Sequence, residues 1–308
     1  MTVVRPAHPH EFPVITGETD RDASRAAYLA DLLDKGCTRP EWCLVADTGE
    51  GVIGGVALWS MPGADTPSDI VLLEAPWDEP GLTTGHLLLE RAGHLAAELG
   101  ATTQGHVLDS PAQAPQEQTH PEARVELLRA NGFALARDGY RYRWTPEAGL
   151  PEGEDRLTWR SLAELGREPF LDLLTDLLPH TGDALLQSEV DELGARGAAE
   201  QLWNDMLGFT YRDEWYEIGY APDGGAAAIS LPARNASYAI IGFVGVAPAH
   251  RGNGYASSVV ARGTRLLAAA GADEIRGDCD AGNPGMVKGF ERAGYTRFAT
   301  RRQYGRSL

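Results

Sequence analysis

Gly245-Val246-Ala247-Pro248-Ala249-His250-Arg251-Gly252-Asn253-Gly254-Tyr255-Ala256, GVAPAHRGNGYA, is the stretch on which the reading of this chain turns. It follows Tyr238 to Val246, a run apolar almost throughout and therefore expected to be a buried central strand. It precedes a helical pattern from about Asn253 to Ala270. A strand handed to a helix through closely spaced glycines brings backbone near a ligand, and the free N–H groups at the helix start are donors for phosphate. Arg251 adds a fixed positive charge with fork geometry suited to phosphate oxygens. No Gly-Lys-Ser/Thr follows, and the three-glycine dinucleotide spacing is absent, so neither common nucleotide fingerprint applies.

Outward from this loop the pattern alternates. Trp215 to Ala221 reads as a strand, Asp223-Gly224-Gly225 as a hairpin turn and Ala226 to Leu231 as the returning partner. A strand from Glu274 to Asp280, a helix from about Pro284 to Ala293 and a strand from Thr296 to Tyr304 follow. Upstream, Leu162 to Leu178 and Val190 to Leu207 read as amphipathic helices. Strands and helices in this order predict an α/β (α+β) architecture around one sheet.

The pattern is written twice. Slid by 171 residues, GHLLLERAGHLAAELGA, Gly85 to Ala101, falls on ASSVVARGTRLLAAAGA, Ala256 to Ala272, and Gly100 and Gly271 share a helix-stop position. Trp42 and Trp215 open matching strand pairs. Farther on the offset drops to 162, setting Leu127–Phe133 on Gly289–Tyr295, so the first half carries a nine-residue insertion. It lies within Thr102 to Pro121, rich in Gln, Pro, Ala and Ser, and reads as a surface loop. Pro146 to Asp155 has the composition of a linker, so domains at 1–150 and 151–308 are expected.

Arg251-Gly252-Asn253-Gly254-Tyr255-Ala256 resembles the pyrophosphate loop of the GNAT superfamily of N-acetyltransferases, Arg/Gln-x-x-Gly-x-Gly/Ala. Asn283, Met286, Phe290, Gly294 and Tyr295 match the five places of that family's next motif. The resemblance covers roughly the last 110 residues. It implies two tandem GNAT-like domains, each a mixed, mostly antiparallel sheet flanked by helices, and acetyl-CoA as co-substrate. By the same resemblance, the backbone at Val244, Gly245 and Val246 would pair with the pantetheine arm as an added strand does. The amides from Arg251 to Ala256 would hold the pyrophosphate, Asn283 would bond the arm near the thioester, and Met286 and Phe290 would lie close to it. The family usually has tyrosine at position 290 as proton donor. Phe290 has no proton to give, which shifts the burden onto a base for the attacking amine. Candidates are Asp280, Asp278, Glu217 and His250.

In the first half, Pro80 to Gly85 stands where the loop should be, preceded by Asp78 and Glu79. Pro121 and Leu128 replace Asn283 and Phe290. This reads as a copy that keeps the fold and has lost the cofactor.

Forty-four acidic residues against 27 basic ones give a formal charge of −17, which disfavours nucleic acid and anionic membrane and favours cationic small molecules. Three cysteines, Cys37, Cys43 and Cys279, show no metal-ligand spacing and suit a reducing cytoplasm. Residues His8, Pro9, His10 and Glu11 lack the pattern of a signal peptide, and no apolar run approaches a membrane span. The expectation is a cytoplasmic, metal-free monomer or homodimer acting on a small-molecule amine. The rival is a non-catalytic acyl-CoA-binding or sensing module.

Overall fold

The computed structural model describes the chain except residues 9, 10, 12–14, 154, 155 and 236. Pro9 and His10, and Glu154 and Asp155 of the expected linker, lie outside the described residues. The chain forms two compact units, one of Met1–Arg137 with Arg301–Leu308, the other of Asp138–Thr300.

Unit 1 runs β1 (Val3–Pro6), α1 (Thr19–Asp34), β2 (Cys43–Asp47), β3 (Val52–Trp59), β4 (Asp69–Glu74), α2 (Thr83–Glu98), β5 (Thr103–Ser110) and α3 (Pro121–Ala130), and then enters β6 (Ala134–Trp144). β1 to β4 pair antiparallel in chain order and β4 pairs parallel with β5. Its core gathers Trp42, Leu58, Ile70, Leu88, Leu89 and Leu127, all buried.

Unit 2 continues with β7 (Thr158–Ser161), α4 (Leu162–Leu165), α5 (Glu168–Leu177), α6 (Ala184–Leu207), β8 (Glu217–Tyr220), β9 (Ala226–Arg234), β10 (Ala239–Val246), α7 (Tyr255–Ala269), β11 (Ile275–Asp280), α8 (Pro284–Arg292) and β12 (Thr296–Ser307). β7 to β10 pair antiparallel in order, β10 pairs parallel with β11, and β11 pairs antiparallel with β6. Each unit is thus a mixed, mostly antiparallel sheet with helices on it, and α2 and α7, or α3 and α8, hold the same place in the repeated order.

The units do not divide at residue 150. β6, counted with the first half by the repeat, hydrogen-bonds from Gly139 to Trp144 along β11, with Asp280 facing Gly139 and Ile275 facing Trp144. Buried Tyr142 and Trp144 therefore belong to the second core. Residues 301–308 conversely belong to unit 1, where Arg306 Nη2 donates to Gln104 Oε1 at 2.7 Å. Strand pairing is a long-range choice that hydrophobic periodicity does not encode.

The expected helix over Leu162 to Leu178 breaks at Gly166, which takes φ 70° as the cap of α4. A capping box between Ser161 and Glu164 starts that short turn. α6 begins earlier than periodicity suggested because Asp183 caps it, accepting from the Leu185 and Leu186 amides, and it is interrupted at Gly194 (φ 71°, ψ 164°). Among the described residues no helix is long and apolar enough to cross a membrane, and no group of His, Cys, Asp and Glu could hold a metal ion.

Candidate functional site

The site begins with a strand that leaves its partner. β10 and β11 pair only at Ala239–Ile275 and Ile240–Arg276, although β10 runs on to Val246 and β11 to Asp280. On its other side β10 stays registered with β9 from Phe243 to Val246, after an irregularity between Ile241 and Phe243. Such a bulge redirects a strand locally. The backbone from Phe243 to Val246 therefore presents a strand edge to a gap inside the sheet, where an extended molecule could add as a strand.

That edge lines a cavity of 580 Å³, whose wall also includes Leu177, Leu178, His180 and Thr181, the loop glycines Gly252 and Gly254 and the start of α8. Gly252 and Gly254 have φ of 84° and 81°, the left-handed region that glycine adopts at no steric cost, and Gly254 is the residue before α7. The first amides of α7 have no intrahelical acceptor and the helix dipole adds positive potential, an arrangement that can accept anionic oxygens.

Ten sequence-predicted residues line this cavity: Val244, Gly245, Val246, Arg251, Gly252, Gly254, Tyr255, Ala256, Asn283 and Met286. Asn283 also caps α8, its Oδ1 accepting from the Met286 amide at 3.2 Å. Arg251 lies on the wall, but its guanidinium is engaged, Nη2 donating to His180 O at 2.8 Å and Nε to Val246 O at 3.3 Å. It therefore ties the α5–α6 connection to the loop and contributes charge to the site, rather than a free fork.

Two expected cofactor contacts lie elsewhere. Asn253 is not on the cavity wall: its Nδ2 donates to His250 O at 3.0 Å and its carbonyl accepts from Arg156 Nη1 at 3.0 Å. Phe290 is 1% exposed and sits in the core. It stacks on Tyr142 at 4.9 Å and meets Tyr295 edge-on. A Cβ on Gly277 would fall 2.5 Å from its ring, so the phenyl fills the space that this glycine leaves against β11. Met286, one turn earlier on the same face of α8, packs against that core and also reaches the cavity wall.

The candidate bases also separate. Glu217 is buried and clasped by Arg262 of α7, with both bonds at 2.6 Å, and this pairing raises the guanidinium pKa. Asp280 is buried, and its Oδ2 accepts the Ala184 amide at 2.9 Å, fastening the start of α6 to the end of β11. Asp278 lies 3.5 Å from Arg141. His250 sits over the β8–β9 turn, where its Nε2 would be 2.9 Å from a Cβ at Gly225. None of these four lines the cavity.

Sequence reading missed His180, which lines the wall, and Lys288 and Arg292, the cationic residues that α8 adds to it. Gly289, between these cations, brings α8 onto the first turn of α7, 3.1 Å separating its would-be Cβ from Ala256 O. Both side chains are exposed in a chain of charge −17. Their i, i+4 spacing beside the second motif was the available signal. His180 arrives from another segment and left none. Glu189 of α6 was likewise overlooked: its Oε2 is buried without a hydrogen-bond partner, and desolvation, then Asp205, raises its pKa.

Residues 196–295 match the sequence model of the acetyltransferase (GNAT) family. In fold the chain is similar to a GCN5-related N-acetyltransferase from Sphaerobacter thermophilus, with a TM-score of 0.63 and 16% identity over 99% of this chain and 95% of that one. It is also similar to a tandem GNAT protein from the clavulanic acid biosynthesis pathway, with a TM-score of 0.52 and 13% identity over 100% and 98% of the two chains. No curated protein matches the chain.

Proposed function

We propose, for a chain whose residues 196–295 carry an acetyltransferase domain of the GNAT family, that it moves an acetyl group from acetyl-CoA to the amine of a small-molecule acceptor by direct attack. The observation that carries this reading is the parting of β10 from β11 into a cavity that ends on the glycine loop of α7. One end offers strand-edge backbone to an amide-bearing arm. The other offers helix amides with Arg251, Lys288 and Arg292 to phosphates. Together they fit a long, polyanionic thioester.

Acetyl-CoA would supply the activated acyl group; the chain's residues bind, orient and move protons. The β10 edge at Val244 and Val246 aligns the arm, and the loop anchors the phosphates. A thiol of pKa about 8.5 leaves tolerably as thiolate, whereas an alkylamine of pKa about 10 must shed a proton to attack. We assign proton acceptance to His180 by its place on the wall. Asp280 acts through position, holding α6 by the Ala184 amide. An acidic exterior draws cationic amines.

The deciding experiment mixes the protein with acetyl-CoA and a panel of primary amines and follows thiol release and product mass. Release that depends on an amine supports the reading; none from any amine, with CoA bound, refutes transfer. The second reading, a binding module without turnover, draws on the buried phenyl of Phe290 and on a cavity wall that, among the described residues, contains no carboxylate. The pH–rate profile of His180→Ala tests the base: loss of the alkaline rise marks His180 as the proton-accepting group, and an unchanged rise excludes it.

A further inference from the structure

Unit 1 repeats the geometry that opens the cavity in unit 2. β4 and β5 pair in parallel only at Asp69–Gly105 and Ile70–His106, then part, although β4 continues to Glu74 and β5 to Ser110. The β3–β4 register shifts between Gly55 and Ala57, as the β9–β10 register does in unit 2. Yet the backbone groups exposed by the parting are taken. The Leu72 amide donates to Gln116 Oε1 at 3.0 Å. Across the gap the Asp109 amide donates to Gln118 Oε1 at 3.1 Å, and Gln118 Nε2 donates to Val107 O at 2.7 Å. At the start of α2, where the glycine loop has no counterpart, Glu79 Oε2 accepts the Thr84 amide at 2.8 Å.

Gln116 and Gln118 lie in the stretch from Thr102 to Pro121 that holds the nine-residue insertion and whose composition marks a surface loop. Pro111, Ala114 and Pro115 are exposed as expected, but the part from Gln116 to Thr119 is pulled inward. Gln118 is 4% exposed, and three arginines bind the segment's carbonyls: Arg25 takes Gln116 O at 2.9 Å, Arg21 takes Glu117 O at 2.9 Å and Arg124 takes Thr119 O. Arg25 also donates to Leu72 O at 2.8 Å, Arg124 to Leu73 O at 2.6 Å, and both approach the buried carboxylate of Glu74. Leu72 has φ 54°, a left-handed conformation that residues with a Cβ rarely adopt and that persists where surroundings over-determine it. Here both its peptide groups are held by side chains.

We infer that unit 1 is self-liganded: Gln116 and Gln118 stand where the amide arm of an acyl-CoA would lie, and Glu79 stands where its phosphate would meet the helix. The inference rests on the proposed use of the equivalent gap in unit 2. It makes this segment a permanent internal ligand, so unit 1 takes no nucleotide thiol and supplies a fixed scaffold instead. Buried polar groups left unpaired are costly, and a copy that lost its ligand needs such replacements.

Amide hydrogen exchange of the full chain tests this residue by residue. Gln116→Ala should speed exchange at Leu72 by at least tenfold, and Gln118→Ala should do so at Asp109. Gln116→Glu, which keeps an acceptor and the chain length, should preserve protection at Leu72 and guards against a merely misfolded alanine variant. Unchanged protection in both alanine variants overturns the inference. So does a calorimetric titration of the unaltered protein with CoA that finds two sites. A titration finding none refutes the proposed function of unit 2, while the exchange result at Leu72 and Asp109 still stands on its own.

Discussion

Charge reversal at Arg251 separates the two jobs that the structure gives this residue. Its guanidinium donates to His180 O and Val246 O, and its charge sits on the wall of the cavity beside the glycine loop. The side chain is exposed, so losing both bonds should cost about 1 kcal/mol in the alignment of the wall. Turning +1 into −1 beside a diphosphate of about two negative charges, at a separation near the Debye length of ~8 Å, costs roughly 2 kcal/mol in water before screening. Physiological salt removes about half of that. Arg251→Glu should therefore weaken CoA binding by about 2 kcal/mol, or ~30-fold, and Arg251→Lys, which keeps the charge and loses the fork, by only a few-fold. Isothermal titration at low and moderate salt reads both numbers, and the Glu variant should show the larger salt dependence. If Arg251→Glu bound CoA as tightly as the unaltered chain, the phosphate assignment of this loop would fail, and the proposed function with it.

Removing both α8 cations with Lys288→Ala and Arg292→Ala should weaken CoA binding by about 1–2 kcal/mol and flatten its salt dependence, because exposed charges act through screened attraction; binding that keeps its salt slope excludes them. Glu217→Gln leaves Arg262 half-exposed and without its clasp, so chemical denaturation should show a loss of about 1–2 kcal/mol, whereas a changed pH–rate profile would restore Glu217 as a base. His106 in unit 1 is fully buried between Ile70 O and Gln118, and desolvation first of all depresses its pKa to about 4. The folded state then binds fewer protons than the unfolded chain below pH ~6.5. Stability from this group is complete above ~6.5, falls towards pH 4 and is flat below, by about 3 kcal/mol in all. Unfolding at pH 7 and 4.5 should show a smaller acid loss for His106→Asn than for the unaltered chain; equal losses would exclude the group.

Local pattern carried much of the fold. The apolar run from Tyr238 to Val246, the helix after Gly254 and the hairpin at Asp223-Gly225 correspond to β10, α7 and the β8–β9 turn within a residue or two, because hydrophobic pattern and turn chemistry are properties of neighbouring residues. The glycine loop was legible for the same reason. Phe290 was not, since its fate depends on the absence of a side chain at Gly277 on a different element. The carboxylates Glu217 and Asp280 could be found as candidates, but Arg262 and the Ala184 amide, which occupy them, lie 45 and 96 residues away in the chain. His180 reached the wall through Arg251, from 71 residues upstream.

By itself, then, the chain's order of residues determined a doubled strand-and-helix pattern, with a glycine loop between strand and helix in the second copy and none in the first. Tertiary structure alone decided that β6 and residues 301–308 pair away from the halves that encode them, and that Gln116 and Gln118 turn inward. The reason is physical: propensity and periodicity act over a few residues, whereas a parted strand pair must find partners for its amides wherever the fold brings them near.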